Sequence, residues 1–317
     1  MPIDPVPIDP AASRRVSAAP AAAAAVLALA ALVALAAGQA GDDALSAPEA
    51  LLLGVVEGIT EYLPVSSTGH LTVTQRLLGL GEHGTKGAVD AYAICIQAGA
   101  IVAVLGLYRE RISGVVLGVL ARRRESLPLA AALIAGFLPA AAAGALLGDA
   151  VKERLFGVGP VVAAWLVGGA VLLVVAPRVA AGAAGRALEQ IAARDGLLIG
   201  FGQMLSLWPG VSRSLVTILA AVAVGLSLSA AVEFSFLLGL LTLGAATVYE
   251  AAQSGGLIVE QFGVLNPLLG FLMALASAAV AVRWMVSYLQ SRSLAVFGWY
   301  RIAVALAALA LLGAGWV

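Results

Sequence analysis

Two glutamates lie one helical turn apart in a segment that is otherwise mostly uncharged. They are Glu57 and Glu61, and a spacing of four residues places both side chains on one face of a helix. Like charges at that spacing repel in a low dielectric, so both stay ionised only if a cation or strong hydrogen-bond donors lie between them; otherwise one takes up a proton. The pair therefore predicts either a binding site for a divalent cation, Mg²⁺ or Ca²⁺, or a general acid/base.

A cluster of hydroxyl groups follows the glutamates and ends at a histidine. Ser66, Ser67 and Thr68 precede His70, which can lie one helical turn from Ser67. A serine beside a histidine predicts a nucleophile with its base, and Ser66 and Thr68 would then contact the substrate. Serine and threonine also favour the start of a helix, so a helix cap is the alternative interpretation.

A second segment, Trp208–Thr217, carries the opposite charge. Its cation is Arg213, which is accompanied by the hydroxyl groups of Ser212, Ser214 and Thr217. A guanidinium group forms paired hydrogen bonds with phosphate oxygens, and free N–H groups at a helix start also attract anions. The segment therefore predicts a phosphate-binding site. In the alternative, Arg213 extends its charge to water or pairs with a glutamate.

The two segments together predict chemistry on a phosphate ester or anhydride. Arg213 would hold the phosphate group, and a serine or an activated water would attack it. A pyrophosphate would lie beside Glu57 and Glu61 only if Mg²⁺ or Ca²⁺ bridged them, or if one carboxyl were protonated. Gln97 and Glu233 are weaker candidates for lining the same cavity, and a solvated helix start is the alternative for Glu233.

The composition shows which kind of protein must position these groups. The 317 residues are 62% hydrophobic and only 11% charged, which is too little polar surface to cover a soluble globule. A balance of 18 Lys and Arg against 18 Asp and Glu excludes a nucleic-acid binder. One cysteine, Cys95, excludes an internal disulfide. The sequence therefore predicts an all-α, polytopic membrane protein.

Six apolar stretches are long enough to cross a bilayer as helices, and two others are interrupted. Proline, glycine and hydroxyl residues break segments 46–80 and 196–226 near their middles, which predicts two re-entrant helical hairpins. An earlier run, 19–38, reads as a signal peptide or an uncleaved anchor helix, of which we favour the anchor. The six predicted core spans are 89–108, 127–148, 158–177, 229–250, 264–285 and 299–316.

The distribution of basic residues predicts the orientation of the spans. Most arginines fall in segments 109–127, 178–195 and 283–301, which places these segments in the cytoplasm by the positive-inside rule. Arg301 is counted in the last of them. A membrane topology with seven spans places all of these basic segments in the cytoplasm. The first hairpin then enters from outside, the second enters from the cytoplasm, and Val317 lies outside.

A shift of 146 residues aligns the two interrupted segments. Pro64 then falls on Gly210 and Ser66 on Ser212, and each hairpin is followed by three spans. An odd number of spans inverts the second copy, so we predict an inverted-topology repeat with halves at about 46–177 and 196–317. Chance similarity between two glycine-rich segments is the alternative. The predicted domains are an N-terminal extension, 1–45, and a membrane phosphatase domain, 46–317.

Both segments resemble the signatures of a known family. The pattern E-G-x-T-E-x-L-P-V-S-S-T-G-H at Glu57–His70 and the pattern W-P-G-x-S-R-S-x-x-T at Trp208–Thr217 are similar to those of the undecaprenyl-diphosphatase (bacitracin-resistance) family. Tyr300-Arg301 also resembles it. The resemblance implies a phosphatase of the bacterial inner membrane that converts undecaprenyl diphosphate into undecaprenyl phosphate, which is recycled as a carrier for cell-envelope polymers. It further implies a divalent cation, crossed re-entrant hairpins and a fold that is often dimeric.

We infer the role of each residue in these two signatures from its chemistry. Arg213, Ser212 and Thr217 would bind phosphate, Glu57 and Glu61 would hold the metal or move a proton, and Ser67 would be the nucleophile with His70 as acid/base. The rival hypothesis is a transporter or flippase for a polyprenyl phosphate or another anion, because inverted repeats with broken helices also build transporters.

Overall fold

The regular structure of the chain is helical, as predicted. The computed structural model describes residues 45–81, 84–179 and 185–316, and within these ranges the β-structure amounts to one isolated bridge, between Arg186 and Leu226. The helices, in chain order, are α1 (Ala47–Thr60), α2 (Ser67–Leu77), α3 (Lys86–Cys95), α4 (Gln97–Leu107), α5 (Arg109–Leu120), α6 (Leu127–Leu155), α7 (Val158–Val175), α8 (Ala193–Gln203), α9 (Arg213–Ala223), α10 (Leu228–Phe262), α11 (Leu265–Leu289) and α12 (Ala295–Gly313).

Six helical segments of the described residues are long and apolar enough to cross a membrane, which confirms the six predicted core spans. The first is Lys86–Leu107, where α3 and α4 follow each other with a break at Ile96. Large apolar side chains such as Leu146 and Val248 are exposed on these helices, as expected where lipid replaces water. The chain is therefore a multi-pass membrane protein. The predicted anchor or signal segment, 19–38, lies outside the described residues.

Each predicted hairpin is a pair of short helices separated by a break. Helices α1 and α2 meet at a break around Pro64, and α8 and α9 meet at a break around Gly210. Ser66 precedes α2 with φ of 74°, and Ser212 precedes α9 with φ of 77°, a left-handed conformation that residues other than glycine rarely adopt. These serines are equivalent under the 146-residue shift, so the aligned breaks share one backbone geometry. The inversion of the two halves in the membrane stays a prediction.

Each hairpin is held against the opposite half of the chain by its first helix. Helix α1 packs on α11, and α8 packs on α6. Glycine permits both contacts, because a Cβ on Gly54 would collide with the carbonyl oxygen of Gly270, and a Cβ on Gly200 with that of Gly136. Gly54 and Gly200 are also equivalent under the 146-residue shift. The two halves are thus interleaved, and this arrangement brings the hairpin tips together.

The structure locates Arg301 more closely than the sequence does. The sequence counts it among the cations of segment 283–301 and also includes it in the predicted span 299–316. It lies in the second turn of α12 with its side chain fully buried. Its guanidinium is solvated by backbone carbonyl groups of the hairpin tips and α7 instead of water. Broken helices leave carbonyl groups without helical partners, and these groups can offset the cost of burying the charge.

Candidate active site

The tips of the two hairpins meet through an ion pair and a hydrogen bond. Nη2 of Arg213, at the start of α9, lies 3.4 Å from Oε1 of Glu61, at the end of α1. The hydroxyl of Ser214 donates to the carbonyl oxygen of Leu63 over 2.8 Å. The side chains of Arg213 and Glu61 are 8% and 5% exposed, so this charge pair is largely shielded from solvent. Arg213 thus pairs with a glutamate, which was the alternative interpretation of the sequence.

The Arg213 guanidinium is positioned by groups from α10 and from the tip of the first hairpin. Nη1 donates to the carbonyl oxygen of Ser235 in α10 over 3.0 Å, and the guanidinium carbon lies 5.4 Å from the centre of the Tyr62 ring. Gly239 leaves room for it, because a Cβ there would come within 2.5 Å of Nη1. Contacts within the chain thus orient the cation, and Glu61 is its charged partner.

Glu61 also accepts a hydrogen bond from the hydroxyl of Ser67. The two residues face each other across the break in the first hairpin, and both are buried. A carboxylate that accepts the proton of a serine hydroxyl is oriented to remove that proton when the serine oxygen attacks. Arg213, Glu61 and Ser67 therefore form one continuous chain of contacts across the two tips.

His70 has partners other than the predicted one. Nδ1 lies 2.6 Å from the carbonyl oxygen of Ser66, and Nε2 lies 2.9 Å from the hydroxyl of Tyr300. A carbonyl oxygen only accepts, so Nδ1 carries a proton, and in the neutral ring Nε2 accepts from Tyr300. The hydrogen bond expected between Ser67 and His70 is not made, because the break turns Ser67 toward Glu61. His70 instead anchors the carbonyl of the strained residue Ser66.

Glu57 occupies the most enclosed position of the site. Its side chain is fully buried, and among the residues that the structure describes the one group that comes within hydrogen-bond reach of its carboxyl is the carboxyl of Glu61. Two carboxyl groups buried side by side are costly unless a proton or a cation offsets their charge. No group of three His, Cys, Asp or Glu side chains gathers within the described ranges. Glu57 and Glu61 therefore fit a cation whose other ligands come from substrate or water, as is usual for Mg²⁺ beside phosphates.

Comparison with known proteins decides the family. A family model described as bacitracin resistance protein BacA matches residues 50–307. The chain belongs to the BacA family.

Curated relatives cover most of the chain. A protein of Sorangium cellulosum named undecaprenyl-diphosphatase is 44% identical over 268 residues, which are 81% of this chain and 83% of the relative. Undecaprenyl-diphosphatase 2 of Rhodospirillum rubrum is 40% identical over 275 residues, 87% of this chain and 98% of the relative. Undecaprenyl-diphosphatase 1 of Chromobacterium violaceum is 40% identical over 258 residues, 81% of this chain and 93% of the relative.

Four of the hydroxyl groups predicted to bind substrate in this BacA-family chain have protein partners. The Ser66 oxygen accepts from the N–H of Gly69, so Ser66 caps a helix, which was the alternative interpretation of the first cluster. The Ser212 oxygen accepts from the N–H of Leu215 and caps a helix in the same way. The Ser214 hydroxyl binds the first hairpin. The Thr217 hydroxyl lies 2.6 Å from that of Ser235, and both are fully buried. These groups hold the elements of the site in place.

Three other candidates have different surroundings. Thr68, which follows Ser67 in the chain, lines with Gln97 a recess between α2 and the break that follows α3. Glu233, in the first turns of α10, lies 2.8 Å from Nε of Arg111, and its side chain is 29% exposed, so it belongs to a partly exposed ion pair. The structure therefore brings together Glu57, Glu61, Ser67 and Arg213, and leaves Thr68, Gln97 and Glu233 outside this group.

Sequence reasoning missed two aromatic neighbours of the BacA-family site. Tyr300 stacks on the His70 ring at 5.6 Å, with an angle of 9° between the rings. The Trp165 ring lies 4.8 Å from that of His70, and its N–H donates to the carbonyl oxygen of Val65 over 3.0 Å. Both residues belong to distant helices, so no local spacing links them to His70. Tyr300 was noted only as part of the resemblance.

Proposed function

We propose that this chain removes the terminal phosphate of undecaprenyl diphosphate and releases undecaprenyl phosphate, which is recycled as a carrier for the cell envelope. The names of the three relatives support this substrate and reaction. The observation that carries the proposal is the chain of contacts from Arg213 through Glu61 to Ser67. It joins a phosphate-binding cation, a proton acceptor and a nucleophile at one buried point, whereas a transporter requires no nucleophile there.

The arrangement supports a two-step transfer. Arg213 exchanges its contact with Glu61 for oxygens of the terminal phosphate and neutralises their charge. The Ser67 oxygen then bonds to the terminal phosphorus while the bond from that phosphorus to the bridging oxygen breaks, and the hydroxyl proton passes to Glu61. The bridging oxygen leaves with the lipid monophosphate. Water afterwards hydrolyses the phosphoserine and releases inorganic phosphate. Direct attack by a water molecule that Glu61 deprotonates is the alternative for the first step.

A divalent cation, Mg²⁺ or Ca²⁺, is part of the proposal. Glu57 and Glu61 are the side chains that would hold it, and the burial of their two adjoining carboxyl groups supports this assignment. When bound, the cation would offset the repulsion between the carboxylates and the diphosphate. We place the enzyme in the bacterial cytoplasmic membrane, where its lipid substrate lies, and propose that it forms a homodimer there. The mass of the detergent-solubilised protein tests the dimer.

Release of phosphate from undecaprenyl diphosphate by the purified protein, with Mg²⁺ present, tests the function. Arg213→Ala and Glu61→Ala should each lower kcat by about 10²-fold or more, because each removes a charge that acts on the reacting phosphate. Arg292→Ala is the matched control, because this arginine is exposed on the loop between α11 and α12 and should leave kcat unchanged. Wild-type protein that binds the lipid without releasing phosphate would instead favour the transporter.

A further inference from the structure

Arg301 is a fully buried cation that touches both hairpin tips. Its Nη1 donates to the carbonyl oxygen of Pro64 over 3.3 Å, and its Nη2 donates to that of Gly210 over 2.7 Å. A third hydrogen bond, of 2.9 Å, joins Nη2 to the carbonyl oxygen of Ala164 in α7. Within the described residues no ion pair involves Arg301, so backbone carbonyl groups alone solvate its charge.

The two tip carbonyls that Arg301 binds are equivalent positions of the two halves. Pro64 and Gly210 align under the 146-residue shift, and each lies two residues before the serine with positive φ, Ser66 or Ser212. One guanidinium therefore binds the same carbonyl group of both breaks. A contact of this kind fixes the separation of the tips and their relative rotation.

The chemistry of the contact requires arginine. A guanidinium presents five N–H donors in a rigid plane, whereas a lysine ammonium is a compact charge on a flexible stem. Gly168 leaves space for the plane of the guanidinium, because a Cβ on Gly168 would collide with Nη2 and lie 2.8 Å from Cζ of Arg301. The glycine in α7 and the arginine in α12 thus form one unit.

We infer that Arg301 is a positioning residue for the phosphatase reaction. By binding the carbonyls of Pro64 and Gly210, it holds Glu61 and Ser67 of one tip in register with Arg213 of the other. The inference rests on the proposed function, because the relative position of the two tips affects the rate only if both tips act on one phosphate. A misplacement of about 1 Å between reacting groups can cost about 10²-fold in rate.

The test compares Arg301→Lys with Gly168→Ala in the purified full-length chain. The first keeps the charge but not the planar donors, and the second keeps the arginine but displaces its guanidinium. Both should lower kcat for undecaprenyl diphosphate by about 10²-fold. The KM should stay within about threefold of wild type, because Arg213 still binds the phosphate. The midpoint of thermal unfolding in detergent should fall, because hydrogen bonds are lost or a buried side chain is displaced, so kcat is compared well below the unfolding transition of both variants.

Two matched controls accompany the variants. Arg292→Lys makes the same change at an exposed position, and Gly159→Ala makes the same change in α7 where no atom lies within 4 Å of the new Cβ. Both should keep wild-type kcat. Wild-type kcat in Arg301→Lys or Gly168→Ala would overturn the inference, and so would a loss of kcat that occurs only together with unfolding of both variants. Failure of the proposed function would appear differently, as wild-type protein that releases no phosphate.

Discussion

At the scale of single residues, the site is organised around Glu61. This carboxylate faces the cation of Arg213 on one side and the hydroxyl of Ser67 on the other. In the proposed reaction, phosphate would take over the Arg213 cation, and Glu61 without that partner would be a stronger base toward Ser67, so substrate binding would activate the nucleophile. Glu57 lies one turn away and is reached within the described chain by the carboxyl of Glu61, not by a cation or a hydroxyl group.

The contacts of His70 predict different effects for two amide substitutions. Asparagine can place an N–H where Nδ1 donates to Ser66, whereas glutamine reaches the position of Nε2 near Tyr300. If His70 acts mainly by anchoring the Ser66 carbonyl, the kcat of His70→Asn should exceed that of His70→Gln by at least about tenfold. A ratio of this size corresponds to the free energy of about one hydrogen bond. Rates of phosphate release measure this. Equal loss in both variants would point to His70 as an acid or base.

The environment of Glu57 predicts a change in metal dependence. Glu57→Gln removes one of two carboxylates available to a cation, so the Mg²⁺ concentration that gives half-maximal phosphate release should rise by about tenfold or more. Titration of chelator-treated enzyme with Mg²⁺ and with Ca²⁺ measures it. Glu110→Gln, at an exposed position of α5, is the control and should leave the titration unchanged. A wild-type titration curve for Glu57→Gln would remove this residue from the cation site.

At the scale of elements, the hairpins could be predicted from the sequence because their breaks combine proline, glycine and serine. The same residues predicted the paired helices and the opposition of Glu61 and Arg213. The partner of Ser67 was not predictable, because the left-handed conformation of Ser66 rotates the start of α2 and sends Ser67 toward Glu61 and not toward His70. Helical spacing alone assumes a regular backbone, and the break violates that assumption.

The helix contacts made through Gly54 and Gly200 predict matched losses of stability. Gly54→Ala forces a methyl group against the Gly270 carbonyl, and Gly200→Ala forces one against the Gly136 carbonyl. Each should lower the free energy of unfolding by about 1–3 kcal/mol, the usual cost of overpacking. Thermal unfolding in detergent measures this loss. Gly114→Ala in α5 is the control, because no atom lies within 4 Å of its new Cβ, and it should unfold at or above the wild-type temperature.

At the scale of the whole molecule, composition predicted the class and the number of core spans, but it did not predict the burial of Arg301. The positive-inside rule counts an arginine by its place in the sequence and takes no account of a buried acceptor. Arg301 follows the exposed Arg292 closely in sequence, yet it is buried against carbonyls supplied by residues 64, 164 and 210. Those carbonyls come from three distant segments, so only the folded chain could reveal the contact.

The orientation of the molecule can be tested independently of Arg301. The remaining basic loops still predict that the loop between α5 and α6 is cytoplasmic, and therefore that the loop between α10 and α11 is outside. In a Cys95→Ser background, Val264→Cys should react with a membrane-impermeant maleimide in intact spheroplasts. Arg124→Cys should react only after permeabilisation. Both replaced side chains are exposed, so folding does not protect them. Labelling of Arg124→Cys from outside would invert the predicted membrane topology, and would place the second hairpin's entry on the outer face.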